Sequence, residues 1–464
     1  MAGFQTIWQG RTVIQTPEQA PDALILLFMD GEYVDRGDLE RLLPPGAPAA
    51  MKKLGLLAAD SARPERCFAP CALFPAEGLL LVSDRVSSPD HSPIALRPDA
   101  VYPASIENTA LFMSTLPTTS CDALLDIGTG TGVAALAGAR SARHAWGTDI
   151  AGRSVSFAEF NRRLNGIENA AMLEGDLYAP VEGLTFDRIV THPPYVPARK
   201  TTMIFRDGGE DGEQVIRRVI EGLPRFLRPG GRFYSLVTAA DCEGQLFEDR
   251  IREWLGEAAP EFDLVLVSYK LTLPRDVTAT SLINRNAAVD DVFYRQEVWE
   301  RRRAQFIFYG SVMLRRHAEA RPAVTARVQK GESFAPRLAD WLLEWQAETS
   351  APAGCEALLD SRPLVSPHAE LTVSHRIRDG RFVPESFVLR SAQPFEAECY
   401  VKAWLAQIVS QCDGRKTWRE HFEAARRAGL FDQEASPAEF VSALAPLVMN
   451  GLLWVDTRPM PGLG

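Results

Sequence analysis

The sequence predicts an α/β protein built around a parallel sheet with helices on both faces. Three observations predict it. From about residue 116 to residue 320, short apolar runs alternate with amphipathic helical patterns, as in parallel strands joined by crossover helices. A glycine-rich loop, residues 128–132 of "LLDIGTGTGV", directly follows the first of those runs. Acids stand at the ends of three successive runs, Asp126, Asp149 and Asp176, and open α/β sheets bind ligands at the carboxyl ends of their strands.

Taken in order, the chain divides into four regions. Residues 1–75 carry apolar positions at helical spacing, punctuated by Asp30-Gly31 and Pro44-Pro45-Gly46, and end in a Gly-Leu-Leu run. Short helices followed by a strand predict a winged-helix-like domain. Residues 76–115 hold two candidate strands, "EGLLLVSDR" and "SPIALRP", and a segment leading into the core, "VYPASIENTALF". Residues 116–320 form the core. Strands are expected in "DALLDIG", "HAWGTDI", "AAMLEGD", "FDRIVTHPP", "GRFYSLVT", "FDLVLVSYK" and "AQFIFYGSVMLRR". Helices are expected in "VAALAGARSA", in "SVSFAEFNRRLNG", which Gly166 closes, in "GEQVIRRVIEGLPRFLRPGG" and in "GQLFEDRIREWLG". Residues 321–464 read as an α+β domain, with a hairpin turning at Asp379-Gly380. It ends in a helix, turn, helix, helix, strand pattern that predicts a second winged-helix-like module.

Composition narrows the function. A chain of 464 residues is long enough for two to four domains. A net charge of −10 opposes a clamp for long nucleic acid, which needs a basic face. No apolar run approaches the ~20 residues of a membrane span, and the opening residues lack the pattern of a signal peptide, so a cytoplasmic protein with no membrane partner is expected. Seven cysteines do not make a disulfide framework in a chain of this length. Cys67 and Cys71 have no second pair at zinc-ligand spacing, so free thiols and no metal are expected.

The glycine loop is not a dinucleotide fingerprint, because Val133 stands where its last glycine should be. Three acids at successive strand ends suit a neutral adenosine carrying a sulfonium cation and suit a pyrophosphate poorly. Downstream, "FDRIVTHPPYVPAR" is a strand stopped by Pro193 and Pro194. Its end places His192, Pro193, Pro194 and Tyr195 on the ligand-binding edge.

"LLDIGTGTG", "GTDI", "EGDLYAP" and "HPPY", in this order, resemble a class I S-adenosylmethionine-dependent methyltransferase. Among these, the chain resembles the small-domain group that includes the release-factor glutamine methyltransferases. The segment "YPASIENTALF", with Glu107 and Thr109, and the glycine-acid loop of "FRDGGEDGEQVIRR" resemble that group as well. The resemblance covers about residues 100–240. It implies a Rossmann-like seven-stranded core and S-adenosyl-L-methionine as cofactor. It further implies that Asp126, Gly128, Thr129, Gly130 and Gly132 approach the methionine part. Asp149 would hold the ribose diol, and Asp176 with Leu177 would contact the adenine. His192, Pro193, Pro194 and Tyr195 would hold the methyl acceptor, with His192, Pro193 and Tyr195 serving catalysis.

The group carries asparagine where this chain has His192. A neutral imidazole can accept one hydrogen bond, and it can also act as a base, which asparagine cannot. The histidine therefore admits an ammonium or a hydroxyl as acceptor beside an amide. The leading expectation is N-methylation of a protein side chain or small molecule. Methylation of an exocyclic amine in RNA or DNA is the alternative. A regulator that senses adenosylmethionine through an inactive core is a third. The sequence assigns no oligomeric state.

Overall fold

In the computed structural model the described residues are 14, 16–89, 94–284, 287–317, 321–335, 337–349, 352–430 and 436–456. The expectation about the chain's first residues falls outside them. The chain forms two compact units. The first comprises residues 1–228, 234–239 and 273–305, and the second comprises 229–233, 240–272 and 306–464.

The first unit opens with short helices at Ala20–Leu24, Arg36–Leu42 and Ala47–Lys53. A three-stranded antiparallel sheet accompanies them, with Arg66–Phe68 between Val34–Asp35 and Ala58–Ala59. An antiparallel hairpin follows, Cys71–Ala76 with Leu79–Asp84. Its first strand went unread in the sequence because Pro75 interrupts it. Residues 94–97 of the expected "SPIALRP" strand form no strand, and Ser92 and Pro93 lie outside the described residues. Among the described residues six cysteines, Cys67 and Cys71 included, are free thiols.

The core begins with helix α1, Glu107–Ser114. Strand β1, Cys121–Ile127, leads through the glycine loop into α2, Val133–Gly138. Then come β2, Ala142–Asp149; α3, Gly152–Leu164; β3, Ala170–Glu174; β4, Phe186–Thr191; and α4, Gln214–Phe226. The four strands are parallel, in the order β3-β2-β1-β4. Residues 123–127 of β1 are all buried, as befits a strand covered on both faces. The chain winds outward from β1 to β3 and then returns to the other side of β1. The strand order thus reverses between β1 and β4, where such sheets open a crevice. Helices α5, Pro274–Asn284, and α6, Val289–Arg301, complete the unit.

Two asparagines, Asn161 of α3 and Asn165 just past its end, fasten the Leu79–Asp84 strand to this core. Asn161 accepts from the Val82 N–H at 2.8 Å and donates to the Val82 carbonyl at 3.0 Å and the Thr131 carbonyl at 2.9 Å. Asn165, one turn on, does the same for Leu80, at 2.9 and 2.8 Å. Their amides act as one more strand on the hairpin's edge. Asn161 is fully buried, so Asn161→Ala strands three main-chain groups without water. Urea unfolding should show a loss of about 2–3 kcal/mol; a loss near zero would mean that water replaces the amide.

In the second unit, Phe262–Thr272 pairs antiparallel with Ala304–Arg316 and parallel with Thr325–Lys330. The sheet continues through Phe395–Val401, Arg381–Ser391 and Glu370–Arg378. Asp379 and Gly380, both at positive φ, make the expected hairpin turn. The last elements are helices Ala403–Val409, Trp418–Arg427 and Pro437–Met449 and strand Leu453–Val455. Capping boxes, Thr417 with Glu420 and Ser436 with Glu439, start the last two helices.

Candidate active site

The turn after β1 is possible because Gly128, Gly130 and Gly132 take φ of +73°, +54° and +85°, which side chains rarely tolerate. The Gly128 and Thr129 N–H groups donate to the Thr148 carbonyl at the end of β2. A Cβ on Gly132 would come within 3.1 Å of Ala158, so this glycine lets the loop rest on α3. Gly128 and Gly130 face the other way. A Cβ on either would meet nothing within 4 Å, and both line a cavity of about 730 Å³.

The acids first build this loop. Asp126 Oδ2 accepts from Thr129 Oγ1 at 2.7 Å and from the Ala135 N–H at 3.1 Å. Burial pushes its pKa up to about 6, against the pull of those two bonds. Asp149 Oδ2 accepts from the Gly130 N–H and Oδ1 from the Ala151 N–H, each at 2.9 Å. Burial raises its pKa, and the two N–H groups oppose the rise. A carboxylate has about four lone-pair sites, so Asp126 and Asp149 keep acceptor capacity toward the cavity they line. Asp176 is more exposed and forms a two-pronged ion pair with Arg218 of α4, at 2.6 and 3.2 Å. Behind it, the hydroxyl of buried Tyr178 donates to the Val219 carbonyl at 2.7 Å. Gly222 leaves room for that ring, since a Cβ there would lie 2.3 Å from it.

Across the crevice, the end of β4 presents His192. Its ring stacks on Phe112 of α1 at 5.3 Å and lies 5.9 Å from Tyr195. Neither ring nitrogen has a hydrogen-bond partner among the described residues. The ring touches the cavity, yet its burial pushes the imidazole down to about 4. The Tyr195 hydroxyl accepts from Asn108 Nδ2 at 3.2 Å, and burial holds its pKa up at about 12 against that bond. The glycine-acid loop fixes this stretch from behind. A Cβ on Gly208 would stand 2.6 Å from the Pro194 carbonyl and 2.9 Å from Tyr195 Cα. Gly208 N–H donates to the Val196 carbonyl, and Ala198 N–H to the Gly209 carbonyl.

One cavity therefore gathers Asp126, Gly128, Thr129, Gly130, Asp149, Asp176, Leu177, His192, Pro193, Pro194 and Tyr195. Gly132 does not line it; nor does Glu107, whereas Thr109 does. Sequence reasoning missed Asn108, Phe112, Arg206, Arg218 and Arg295, which also line it.

The stretch that builds this cavity is also the one with relatives. Residues 106–253 match the Methyltransferase small domain family. The chain is 34% identical over 188 residues to a putative protein N5-glutamine methyltransferase of Methanocaldococcus jannaschii, a match covering 39% of this chain and 89% of that protein. It is 34% identical over 142 residues to the release factor glutamine methyltransferase of Moorella thermoacetica, covering 28% of this chain and 50% of that one. The chain thus spans about half the length of that second relative. The crystal structure of a ribosomal protein L11 methylase from Lactobacillus delbrueckii subsp. bulgaricus overlaps 49% of this chain and 86% of its own, at 19% identity and a TM-score of 0.28. The near-complete cover of the first relative decides the family: the chain belongs to the class I S-adenosylmethionine-dependent methyltransferases, and S-adenosylmethionine is its cofactor.

Proposed function

We propose that the protein methylates the side-chain amide nitrogen of a protein, glutamine being the leading acceptor, and that residues 192–195 hold that amide. The observation that carries this reading is His192, a neutral imidazole without a bonding partner among the described residues, enclosed by Phe112 and Tyr195. As a base with a pKa of about 4, it cannot prepare an ammonium for attack. Taking a proton from a lysine-like group at ~10.4 would be uphill by about 9 kcal/mol. A neutral imidazole does accept an N–H bond, the part asparagine plays in the resembling group. The names of the two relatives, both glutamine methyltransferases, support the same acceptor.

The cavity suits the cofactor. Gly128 and Gly130 leave their inner face clear, the carboxylates of Asp126, Asp149 and Asp176 line the wall, and buried Thr148 Oγ1 has no partner among the described residues. Asp149 would bind the ribose hydroxyls, Asp176 and Leu177 the adenine, and residues 126–132 the methionine part. When bound, S-adenosylmethionine supplies an electrophilic methyl on a sulfonium. The chain's own task is to hold the amide nitrogen in line. His192 accepts one N–H, Pro193 offers its carbonyl, and Tyr195 stacks on the amide plane with its hydroxyl kept protonated. Once methylated, the amide nitrogen is a far stronger acid than the imidazolium, so His192 can then take its proton.

In the same reading the core is the seven-stranded Rossmann-like sheet of its class. Both flanks are winged-helix-like, a reading that the helix, helix, strand order of residues 418–455 supports. Among the described residues no helix is long and apolar enough to cross a membrane. The test uses methyl-labelled S-adenosylmethionine and a lysate of cells from which the gene is deleted. Acid hydrolysis of the labelled protein should release the label as volatile methylamine, because amides hydrolyse. Label kept on a methylated lysine, arginine or histidine would overturn the amide reading, and label in nucleic acid would give base methylation instead.

A further inference from the structure

The cavity reaches past the acceptor motif to two guanidinium groups that the mechanism above does not use. Arg206 and Arg295 both line it. Arg206 sits against the acceptor stretch, since its carbonyl accepts from the N–H of Val196, the residue after Tyr195. Arg295 comes from α6, which is laid along the same stretch. Tyr294 donates to the Glu210 carbonyl at 3.1 Å, Arg199 pairs with Glu297 at 3.2 Å, and Arg302 pairs with Glu213 at 3.0 Å.

Asp207 is buried and its carboxylate already accepts four bonds, from Thr202 N and Oγ1, Met203 N and Arg206 Nε. It pairs directly with Arg206 and acts on Arg295 only at longer range. Arg295 donates through Nε to the Asp291 carbonyl, a group without net charge. Among the described residues no carboxylate lies within ion-pair distance of it, and its two terminal nitrogens have no hydrogen-bond partner. Burial, with Arg206 as neighbour, lowers its pKa. Asp291 and Asp207 oppose that fall from beyond ion-pair distance, so a partly buried cation without a direct ion pair still gains from an anion that arrives from outside.

We propose that Arg206 and Arg295 form an anion subsite at the acceptor end of the cavity, taking a carboxylate or phosphate group carried by the methyl acceptor next to its methylated nitrogen. The inference rests on the reading of residues 192–195 as the acceptor site. For a protein acceptor, the anion is an acidic side chain beside the methylated residue.

The test is calorimetry on the full chain. The wild type is first titrated with S-adenosylhomocysteine and then, when saturated, with succinate and with inorganic phosphate. Arg295→Met removes the charge without touching the Asp207 loop, and Arg295→Lys keeps it. At least one of the two anions should bind the wild type saturably. Arg295→Met should weaken that binding about tenfold or more, with Arg295→Lys in between. Affinity for S-adenosylhomocysteine should be the same in all three. Anion binding that is absent from the wild type, or unchanged in Arg295→Met, would overturn the subsite and leave the methyltransferase reading intact. A tenfold loss of S-adenosylhomocysteine affinity in Arg295→Met would show that the guanidinium serves the cofactor's own carboxylate, which also overturns it. Failure of the wild type to bind S-adenosylhomocysteine would remove the reading beneath it.

Discussion

Replacing His192 by alanine should lower kcat by about a hundredfold and leave the affinity for S-adenosylhomocysteine unchanged. The ring lines the cavity just past the end of β4, and none of the bonds that shape the glycine loop depends on it. His192→Asn should restore most of the lost turnover, because a carbonyl can accept the same N–H. The pH profile gives the sign. The working form is neutral and burial has moved the pKa down to about 4. Activity from this group is therefore full above about pH 5 and falls as pH drops through about 4. That limb should vanish in His192→Asn. Burial also raises the carboxyls of Asp126, to about 6, and Asp149, so a limb that survives the substitution is not that of His192. If His192→Asn is as poor as His192→Ala, the ring removes a proton before transfer, and the amide acceptor is wrong.

Asp149→Ala should weaken S-adenosylhomocysteine binding by about a hundred- to a thousandfold, since hydrogen bonds to a charged group contribute roughly 1.5–3 kcal/mol each. Two sources add. The ribose loses its acceptors, and the Gly130 and Ala151 N–H groups lose theirs. Asp149→Asn should fall between, because an amide offers one oxygen to those two N–H groups. Calorimetry gives the affinity, and a urea curve on the ligand-free protein separates the loop's share. Unchanged affinity in the alanine variant would put the ribose elsewhere.

The strand ends were legible because their chemistry is local. The glycines of residues 128–132 need positive φ, and Pro193 and Pro194 stop a strand whatever lies around them. The same holds for β1, whose residues 123–127 are buried in one run because both faces are covered. Helices α5 and α6 were passed over for the opposite reason. Ser281 is the buried residue of α5, so no apolar stripe announces that helix. Asn108, Arg218 and Arg295 reach the cavity from elements far apart in the chain. Their roles come from tertiary contact, and no spacing encodes them. The acids were legible as positions, whereas their bonds to the loop and to Arg218 were not. Asp126 and Asp149 shape the loop before they meet any ligand, and Asp176 already has Arg218.

The amide of Asn161 answers to two masters, the Val82 main chain and the Thr131 carbonyl inside the glycine loop. A shortened chain beginning after residue 85 would keep every residue that lines the cavity. It would still leave that amide with one of its three bonds, in a site closed to water, and Asn165 without its Leu80 pair. The smallest piece that can hold the glycine loop in place therefore starts at the hairpin of residues 71–84. Anyone excising the catalytic part for expression or crystallisation must carry those two strands along.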